Sequence, residues 1–530
     1  MIDAKATIRK LAAKKSQRSH HEPIWQECFD YSFPERGNGL NGASLMPQDG
    51  QTKKNRILDD TAADSARILS SGIASGTTPA SSLWFGLDAG QESDEENAWL
   101  DESARILFEN IHGANFDAAA FECCIDIVAA GWFVLYIDEA KGGGFSFEQW
   151  PLSECYISSS KLGGLIDTVY REVDMTVEQV VNAYGIDKVS DKVAEAYRNE
   201  KFDEFVKILH AIEPRKMYAV GSKLAKNLPF SSCHIEVATQ QVLRESGYHE
   251  FPCAVPRWML IAGTPYPTGP MAQALGSIRT INDIKALELA NLDMAVAGMW
   301  IAEDDGVLNP RTVKVGPRKI IVANSVESMK SLSSGAKFDV AFSAEDRLQA
   351  SIRKTLLADQ LQPQDGPAMT ATEVHARVNL IRQLLGPIYG RLQAEYLQPL
   401  ITRCFGIAYR AGVLGQAPES LQDRAFSVKY LGPLARAQRL EDVTAMDRFE
   451  QTLMMEAQAD PSVLDVYDFE LAARERSKHL GVPQLLLRTS DKVDALRDSR
   501  KQAQQNQQQQ AMQQQVTTDA MGAIANKVAA

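Results

Sequence analysis

Residues 362–392 read QPQDGPAMTATEVHARVNLIRQLLGPIYGRL, and this segment contains the clearest structural signal in the chain. Thr370 and Glu373 have the Ser/Thr-x-x-Glu spacing of a capping box, which marks the first turn of a helix. The apolar residues that follow step by four and three, a spacing that places side chains on one helix face. These residues are Val374, Val378, Ile381, Leu385, Ile388 and Leu392. The pattern predicts a long helix that continues past kinks at Pro387 and Pro399.

The segment just before this helix is predicted to break the chain sharply, because it contains two prolines and a glycine. Its residues are Gln362, Pro363, Gln364, Asp365, Gly366 and Pro367. Two charged helices are predicted farther upstream, at 271–298 and 343–361, and a β-leaning, turn-broken segment at 299–340 lies between them. The first of these helices has an apolar stripe along one face. The stripe consists of Ile278, Ile281, Ile284, Leu287 and Leu292.

The rest of the chain is predicted to combine helices with short strands. The expected helices are 1–30, 57–75, 94–130 and 435–500, and a turn-rich loop is expected at 34–56. The expected strands are a hairpin of 132–137 with 145–150, then 232–239 and 255–261. A glutamine-rich segment from residue 501 onward cannot build a core. The predicted fold class is α+β, mainly helical.

Composition and charge limit the possible functions. The chain has 530 residues and a net charge of −12, which disfavours a protein that grips nucleic acid over a broad surface. This length suggests three or four domains or one elongated subunit. Seven scattered cysteines without a CxxC pair indicate reduced, cytosolic assembly. The start of the chain lacks the apolar segment of a signal peptide, and the longest apolar run, 127–137, is too short to span a membrane. We therefore expect neither a secreted nor a membrane protein.

The motifs that usually carry chemistry are either absent or out of context. Gly37, Gly39 and Gly42 match GxGxxG, but no strand precedes them and no helix starts on them, so the match is accidental. The sequence has no phosphate-binding GxxxxGK[ST] loop and no zinc-ligand spacing. Cys123 and Cys124 lie in an apolar helical stretch, which favours packing over nucleophilic catalysis. We predict no catalytic, metal-binding or cofactor-binding residues and no enzyme activity.

A basic cluster falls in the segment between the two charged helices. It consists of Arg311, Lys314, Arg318 and Lys319. One interpretation is a solvated strand face. The other is an exposed tip that contacts an acidic partner or a DNA backbone.

Several blocks of sequence, in the same order along the chain, resemble the portal (head-to-tail connector) family of short-tailed bacteriophages. The N-terminal blocks are Trp25, Tyr31 and Pro34, then RILDDT at 56–61, LSSG at 69–72, TP at 78–79 and WFGL at 84–87. The later blocks are FP at 251–252, PRW at 256–258, TATEV at 370–374, LGP at 385–387, Glu395 and PL at 399–400. The resemblance covers roughly residues 20–415. One departure is the turn at 266–270, which reads YPTGP here where the family commonly has YGRGP, so no role for that arginine carries over.

The resemblance implies a ring, usually of about twelve subunits, at one capsid vertex. The implied regions are a wing at 1–270, stem helices at 271–298 and 343–361, a clip at 299–342 and a tunnel loop at 362–369, followed by the long wing helix and its connection at 370–429, a helical crown at 430–500 and a glutamine-rich tail at 501–530. Candidate channel residues on the stem are Asp283, Glu288, Asp293, Asp346, Arg353 and Lys354. The tunnel loop Gln362–Pro367 would constrict the channel, and the basic cluster of the clip would dock partners.

The implied partners are those of a portal. They are other copies of the chain, the packaging motor (the terminase large subunit), tail adaptor or nozzle proteins, scaffold and major capsid proteins, internal core proteins, and double-stranded DNA that passes through without sequence recognition. The implied location is the virion, after assembly in the bacterial cytoplasm. Two alternatives stay open from the sequence: an internal core or scaffold protein of a virion, and a metal-dependent nucleic-acid enzyme such as a nuclease.

Overall fold

The computed structural model describes residues 3–36, 40, 57–88, 94–219, 224–297, 299–302, 329–332, 338–361, 386, 388–421, 427–430, 433–458, 460–480, 482, 488 and 492–505. Its residues form two compact units, the first within Met1–Ala80 and Asn110–Ala411 and the second within Ser81–Glu109 and Gly412–Ala530. Helices and several small antiparallel sheets together give the predicted α+β, mainly helical fold. Among the described residues, no helix is long and apolar enough to cross a membrane.

Several sequence predictions fall on residues outside this description. They are the basic cluster Arg311, Lys314, Arg318 and Lys319, the break Gln362–Pro367, the capping box Thr370–Glu373, the apolar positions from Val374 to Leu385, most of the loop 34–56, and the glutamine-rich tail from residue 506 onward.

The helices are, in chain order, α1 (Ala4–Arg18), α2 (Glu22–Ser32), α3 (Thr61–Thr77), α4 (Asp94–Gly113), α5 (Phe116–Ala130), α6 (Val177–Tyr184), α7 (Asp191–Arg198), α8 (Pro270–Ala297), α9 (Phe338–Thr355), α10 (Ala358–Leu361), α11 (Gln398–Arg410), α12 (Pro433–Glu456) and α13 (Phe469–Leu480). The single helix predicted at 1–30 is two helices, and Pro23 lies in the first turn of the second, where its missing N–H is tolerated. The helix predicted at 94–130 is also two. Asn115 separates them and exchanges two hydrogen bonds with the backbone of Phe147.

The strands are β1 (Phe85–Asp88), β2 (Val134–Glu139), β3 (Phe145–Trp150), β4 (Cys155–Ser158), β5 (Thr168–Thr176), β6 (Phe205–Pro214), β7 (Phe230–Glu236), β8 (Gln241–Tyr248), β9 (Cys253–Ala254), β10 (Met259–Leu260), β11 (Pro267–Thr268), β12 (Met299–Ala302), β13 (Met329–Leu332) and β14 (Ser427–Tyr430). Strands β4 to β8 form an antiparallel meander, and β2 pairs with both β3 and β9. The predicted β2–β3 hairpin is confirmed. The strand expected at 255–261 is wrong in extent. Only Met259–Leu260 (β10) is a strand there, and β9 ends at Ala254, just before Pro256, which cannot donate to a ladder.

Aromatic side chains dominate the core of the first unit. Trp25, Trp132 and Tyr266 pack with ring centroids 5.4–5.6 Å apart, and all three are at most 2% exposed. They belong to a larger buried cluster that joins α2 and α5 to the β2–β3 hairpin. Large aromatic rings bury the most apolar area per residue, so this cluster fixes the N-terminal helices against the sheets.

In the second unit, β1 pairs with β14, and α12 packs against α13. Phe85 on β1 is fully buried. Residues 492–505 continue the helical character, which agrees with the helical region predicted at 435–500 over its described part.

Candidate functional site: a helix hairpin and its buried anchor

Helices α8 and α9 form a hairpin in the first unit, and a short β ladder continues each of them. Strand β12 follows α8 and β13 precedes α9, and the two pair antiparallel from Met299↔Leu332 to Ala302↔Met329. The first predicted helix, 271–298, is confirmed as α8. The second begins earlier than predicted, at Phe338, and ends at Thr355. The chain then turns through Leu357, whose φ of 57° is unusual for a residue with a side chain, into α10.

The apolar stripe of α8 is covered along half of its length. Ile278 and Ile281 are at most 1% exposed, whereas Leu287 is 65% and Leu292 is 55% exposed. Leu289 and, on α9, Phe342 are also more than half exposed. We define the far half of the hairpin by Leu287, Leu289, Leu292 and Phe342. Its apolar side chains are not covered by the part of the chain that the structure describes.

Polar contacts join the two helices to each other and to the N-terminal region. Lys285 on α8 forms an ion pair with Glu345 on α9 and lies 3.5 Å from Glu288. Asn282 accepts a hydrogen bond from the backbone N–H of Leu58 at 2.9 Å. On α9, Gln349 donates to the Asp59 carboxylate at 2.8 Å. These contacts hold the near half of the hairpin at a defined angle against the rest of the unit.

The predicted channel residues are mostly on the surface of the hairpin. Asp283 and Asp293 are exposed on α8, and Asp346, Arg353 and Lys354 are exposed on α9. Glu288 is partly buried beside Lys285. The structure thus places all six on the two helices, but it does not gather them into one cluster. Sequence reasoning missed Glu345, which is 7% exposed and pairs with Lys285, because no local pattern distinguishes it from its exposed neighbour Asp346.

A buried ion pair lies beyond the near end of α8. The Arg257 guanidinium donates to both Glu395 carboxylate oxygens at 3.0 and 2.7 Å, and the two side chains are 5% and 6% exposed. Arg257 also donates to the carbonyl oxygen of Gly164 at 3.1 Å. Charged side chains are rarely buried unless they are paired and hydrogen-bonded in this way.

Glu395 lies in a single π-helical turn, Gln393–Leu397, which leads into α11. Pro399 is the second residue of α11, has no N–H to donate, and would clash with the carbonyl of residue 395 in a regular α-helix. The π turn accommodates the proline, and it is the form taken here by the kink predicted at this position. The same π turn contains Glu395, whose carboxylate pairs with Arg257.

A close backbone contact holds the turn that starts α8. Gly131, at the C-terminal end of α5, has a φ of 91°, and a Cβ there would lie 2.6 Å from the backbone nitrogen of Gly269. The N–H of Trp258 donates to the Gly131 carbonyl at 2.7 Å. Two glycines are therefore required where α5, the Arg257 segment and the start of α8 meet. We call Gly131, Arg257, Gly269 and Glu395 the anchor.

The thiols of the chain are poorly suited to nucleophilic chemistry. All seven cysteines are buried. Burial raises the pKa of Cys124 to about 12 and that of Cys123 well above the ordinary value of a thiol. Cys123 and Cys124 are at most 1% exposed, which confirms the packing interpretation of this pair. Within the described ranges, no group of three or more histidine, cysteine, aspartate or glutamate side chains is arranged to hold a metal ion.

Comparison with known proteins gives long, end-to-end matches. The family described as "Bacteriophage head to tail connecting protein" matches residues 4–487. The chain is 28% identical to the probable portal protein of Bordetella phage BPP-1, over 95% of this chain and 93% of that protein. It is 26% identical to the portal protein of Salmonella phage epsilon15, over 94% and 91%. It is 22% identical to the portal protein of Escherichia phage T7, over 75% and 73%.

A chain in the solved structure titled "Virion of native gene transfer agent (GTA) particle" is also similar. It aligns with 79% of this chain and 95% of its own length, at 12% identity and a TM-score of 0.33. A TM-score this low does not by itself establish a shared fold. The sequence matches carry the comparison.

Proposed function

We propose a function for this chain from the fact that it belongs to the bacteriophage head to tail connecting protein family and is a portal-type connector of the virion. About twelve copies would close into a ring around a channel for double-stranded DNA. The ring would sit at one capsid vertex after assembly in the host cytoplasm. DNA would pass through it during packaging and ejection. The relatives are structural proteins, and we assign the chain no catalytic step.

The exposed far half of the α8–α9 hairpin carries this proposal. Leu287, Leu289 and Leu292 project large apolar side chains that the described residues of the first unit leave more than half exposed. By the pitch of an α-helix, Leu287 lies roughly opposite Leu289 and Leu292, so α8 exposes large apolar side chains on two sides, as a subunit with two interfaces would. In a closed ring, each subunit offers two different faces to its neighbours, so a hairpin side exposed in one chain can be buried by the next.

We assign the regions of the ring from the same hairpin. Helices α8 and α9 would be the stem, residues 362–369 the tunnel loop, and residues 430–500 the crown. The clip predicted at 299–342 would be shortened to 299–337, because α9 already begins at Phe338. The β12–β13 ladder supports a compact clip, because it closes the hairpin at the end away from the anchor.

The channel wall would be mixed in charge rather than uniformly basic. Helix α8 carries three acidic and two basic residues, and α9 carries three of each. A wall with many lysines and arginines would bind phosphates and slow DNA, whereas this composition lets the polymer slide. The driving force would come from a separate ATP-driven motor, because this sequence has no GxxxxGK[ST] loop.

The clip cluster of Arg311, Lys314, Arg318 and Lys319 would dock the packaging motor first and the tail adaptor later. Alanine replacement of all four should weaken binding of the purified ring to both partners, because long-range attraction to an acidic surface would be lost. Unchanged binding of both partners would refute this role.

The tunnel loop Gln362–Pro367 would act as a steric gate against back-slippage of DNA, since it has two prolines and a single charge, Asp365. Particles assembled with this loop deleted should package DNA but lose it before the tail is attached. Full retention of packaged DNA by the deletion variant would show that the gate lies elsewhere.

The ring itself is tested by electron microscopy and native mass measurement of the purified protein. We expect rings of about twelve subunits with a central hole. The double substitution Leu287→Glu with Leu292→Glu should leave folded, unassembled chains, because charged side chains would be placed in the subunit interface. Leu480→Glu is the matched control, since Leu480 is 50% exposed but lies on α13, outside the hairpin.

A wild-type protein that stays monomeric or dimeric under all assembly conditions would contradict the ring and favour an internal core or scaffold role. Rings that form equally well with both glutamates present would contradict the assignment of the far half as an interface, while leaving the ring in place.

A further inference from the structure

Four side chains form a row across the five-stranded sheet. Arg171 on β5 is paired with His210 on β6, His210 with His234 on β7, and His234 with Arg244 on β8. Directly paired residues of neighbouring antiparallel strands project from the same face of the sheet. The two imidazoles stack with ring centroids 4.0 Å apart and planes at 18°. We call these four residues the Arg–His row.

The Arg–His row forms one wall of a cavity of about 470 Å³ within the first unit. Tyr136 and Tyr248 also line it, and their hydroxyl oxygens lie 2.7 Å apart. Cavities of roughly 300–1,000 Å³ are the size that small ligands occupy. The cavity lies on the face of a β-sheet, and side chains on a regular sheet are held in defined positions, as a binding site requires.

Most of the charges around this cavity already have partners. Arg171 donates to Glu154 at 2.8 Å and lies 3.7 Å from Glu148. Arg403 and Arg410 both bind the Glu250 carboxylate. Arg244 differs from these arginines in its lack of a carboxylate partner among the described residues.

The Arg244 side chain is exposed, and among the described residues no ion pair or hydrogen bond engages its guanidinium. Arg244 is paired across the strands with His234, and its positive charge contributes to the lowered pKa of that imidazole. The cationic end of the row is therefore open to an anion.

The two histidines are neutral in the absence of an anion. Burial and, as a smaller cause, the neighbouring Arg244 together lower the pKa of His234 to about 4. Burial and the neighbouring His234 lower the pKa of His210 well below its ordinary value. The Tyr184 hydroxyl lies 2.8 Å from His234 Nδ1, and the Ser232 hydroxyl lies 2.9 Å from His210 Nε2. Charged or titratable groups surround the pair on every side. They are Arg171, Arg244, Tyr184 of α6, Tyr136, Asp138 and Glu139 of β2, Glu148 of β3, Tyr248 of β8, His249, and Arg403 and Arg410 of α11.

We propose that the Arg–His row is an oxyanion-binding site, in which Arg244 and His234 bind a phosphate group supplied as inorganic phosphate or as a phosphate monoester. The guanidinium fork matches two oxygens of a tetrahedral oxyanion, and an imidazole on the adjacent strand can donate to a third. A carboxylate has only two oxygens, and a single arginine can bind both. It would therefore leave the imidazole of His234 without an oxygen to bind, whereas a phosphate group would not. The site lies within one unit and does not depend on ring formation.

Calorimetric titration of the purified full chain with sodium phosphate, at constant ionic strength, tests the site. We expect saturable, one-site binding of phosphate, and acetate at the same concentration should give none. A nucleoside monophosphate forms the second arm. Binding about tenfold tighter than inorganic phosphate would identify a monoester as the ligand, and equal or weaker binding would identify the free ion.

Sulfate is the probe for pH dependence, because its own charge does not change between pH 6 and pH 8. A bound anion raises the pKa of the adjacent imidazoles, so binding takes up protons and should be tighter near pH 6 than near pH 8. His234→Gln should remove most of this pH dependence. Equal sulfate affinity at both pH values would overturn the role of the histidines.

Arg244→Gln should reduce phosphate affinity about tenfold or more, because a charge-assisted contact is lost. The matched control is Arg198→Gln, an exposed arginine on α7 of the same unit, which should bind like the wild type. Arg244 is on the surface, so its replacement tests the site even if His234→Gln disturbs folding. Absence of phosphate binding, or equal binding by Arg244→Gln and the wild type, would overturn the proposal.

Discussion

The two halves of helix α8 both carry large apolar side chains, and their surroundings are opposite. In the near half, Ile278 and Ile281 are at most 1% exposed. In the far half, Leu287 and Leu292 are 65% and 55% exposed. The chain itself covers the near half, where α2 and α5 pack against α8. The far half stays exposed in the single chain, and in the proposed ring neighbouring copies would cover it.

This difference separates two kinds of mutational effect. Substitutions around the anchor should lower the free energy of unfolding of a single chain, because they disturb buried groups that this chain satisfies. Substitutions in the far half should leave that free energy almost unchanged and act on assembly. The predictions below test this separation, starting with the largest expected effect.

Replacing Glu395 by alanine should lower the free energy of unfolding by about 3–5 kcal/mol, because Arg257 would remain charged and unpaired in the interior. Urea unfolding, monitored by tryptophan fluorescence, measures the loss. Asp64→Ala is the control. It breaks the pair with Arg67, in which both side chains are 65% exposed, and should cost at most about 1 kcal/mol.

The double replacement Arg257→Met with Glu395→Leu should recover much of this loss, because no unpaired charge is then buried. A cost below about 1 kcal/mol for Glu395→Ala alone would mean that the anchor does not depend on the ion pair.

Gly131→Ala should lower the free energy of unfolding by roughly 2 kcal/mol. Its φ of 91° disfavours a side chain, and the new Cβ would meet the Gly269 backbone. The control is Gly76→Ala near the end of α3, where a Cβ would have no neighbour within 4 Å. Alanine there should be neutral or slightly stabilising. Equal unfolding midpoints for the two variants would contradict the close contact.

The parts of the fold that could be predicted from the sequence have local signals. Helix α8 shows its apolar period directly, and the β2–β3 hairpin is marked by two apolar stretches around three glycines. The start of α9 was predicted too late. Ser343, followed by Glu345 and Asp346, resembles the beginning of a helix, but the helix already starts at Phe338.

The anchor could not be predicted from local patterns. Arg257 and Glu395 are separated by 138 positions, and nothing in the sequence around either residue marks its charge as buried. The family resemblance includes both residues but gives no sign that they form a pair. Periodicity also has a limit on α8, because it shows that Ile278 and Leu292 share a face without showing what covers each of them.

Lys285 lies at the boundary between the two halves, so its replacement should have an intermediate effect. Lys285→Met should lower the free energy of unfolding by roughly 1–3 kcal/mol, because Glu345, which is 7% exposed, would lose its partner. Lys354→Met is the control on the same hairpin, since Lys354 is exposed. If both variants unfold at the same urea concentration, α8 and α9 are not held together by this pair.

The smallest effect on stability is expected at the exposed acids of the stem. Replacing Asp283, Asp293 and Asp346 by asparagine should change the free energy of unfolding by no more than about 0.5 kcal/mol each, because all three are exposed. The same triple variant should nevertheless slow DNA translocation, and more strongly at low salt, because the channel wall would become more basic and bind phosphates. Arg353→Gln with Lys354→Gln shifts the charge in the opposite direction and should not slow it. If particles assembled with the triple variant package and retain DNA as the wild type does, these acids do not set the channel's affinity for DNA.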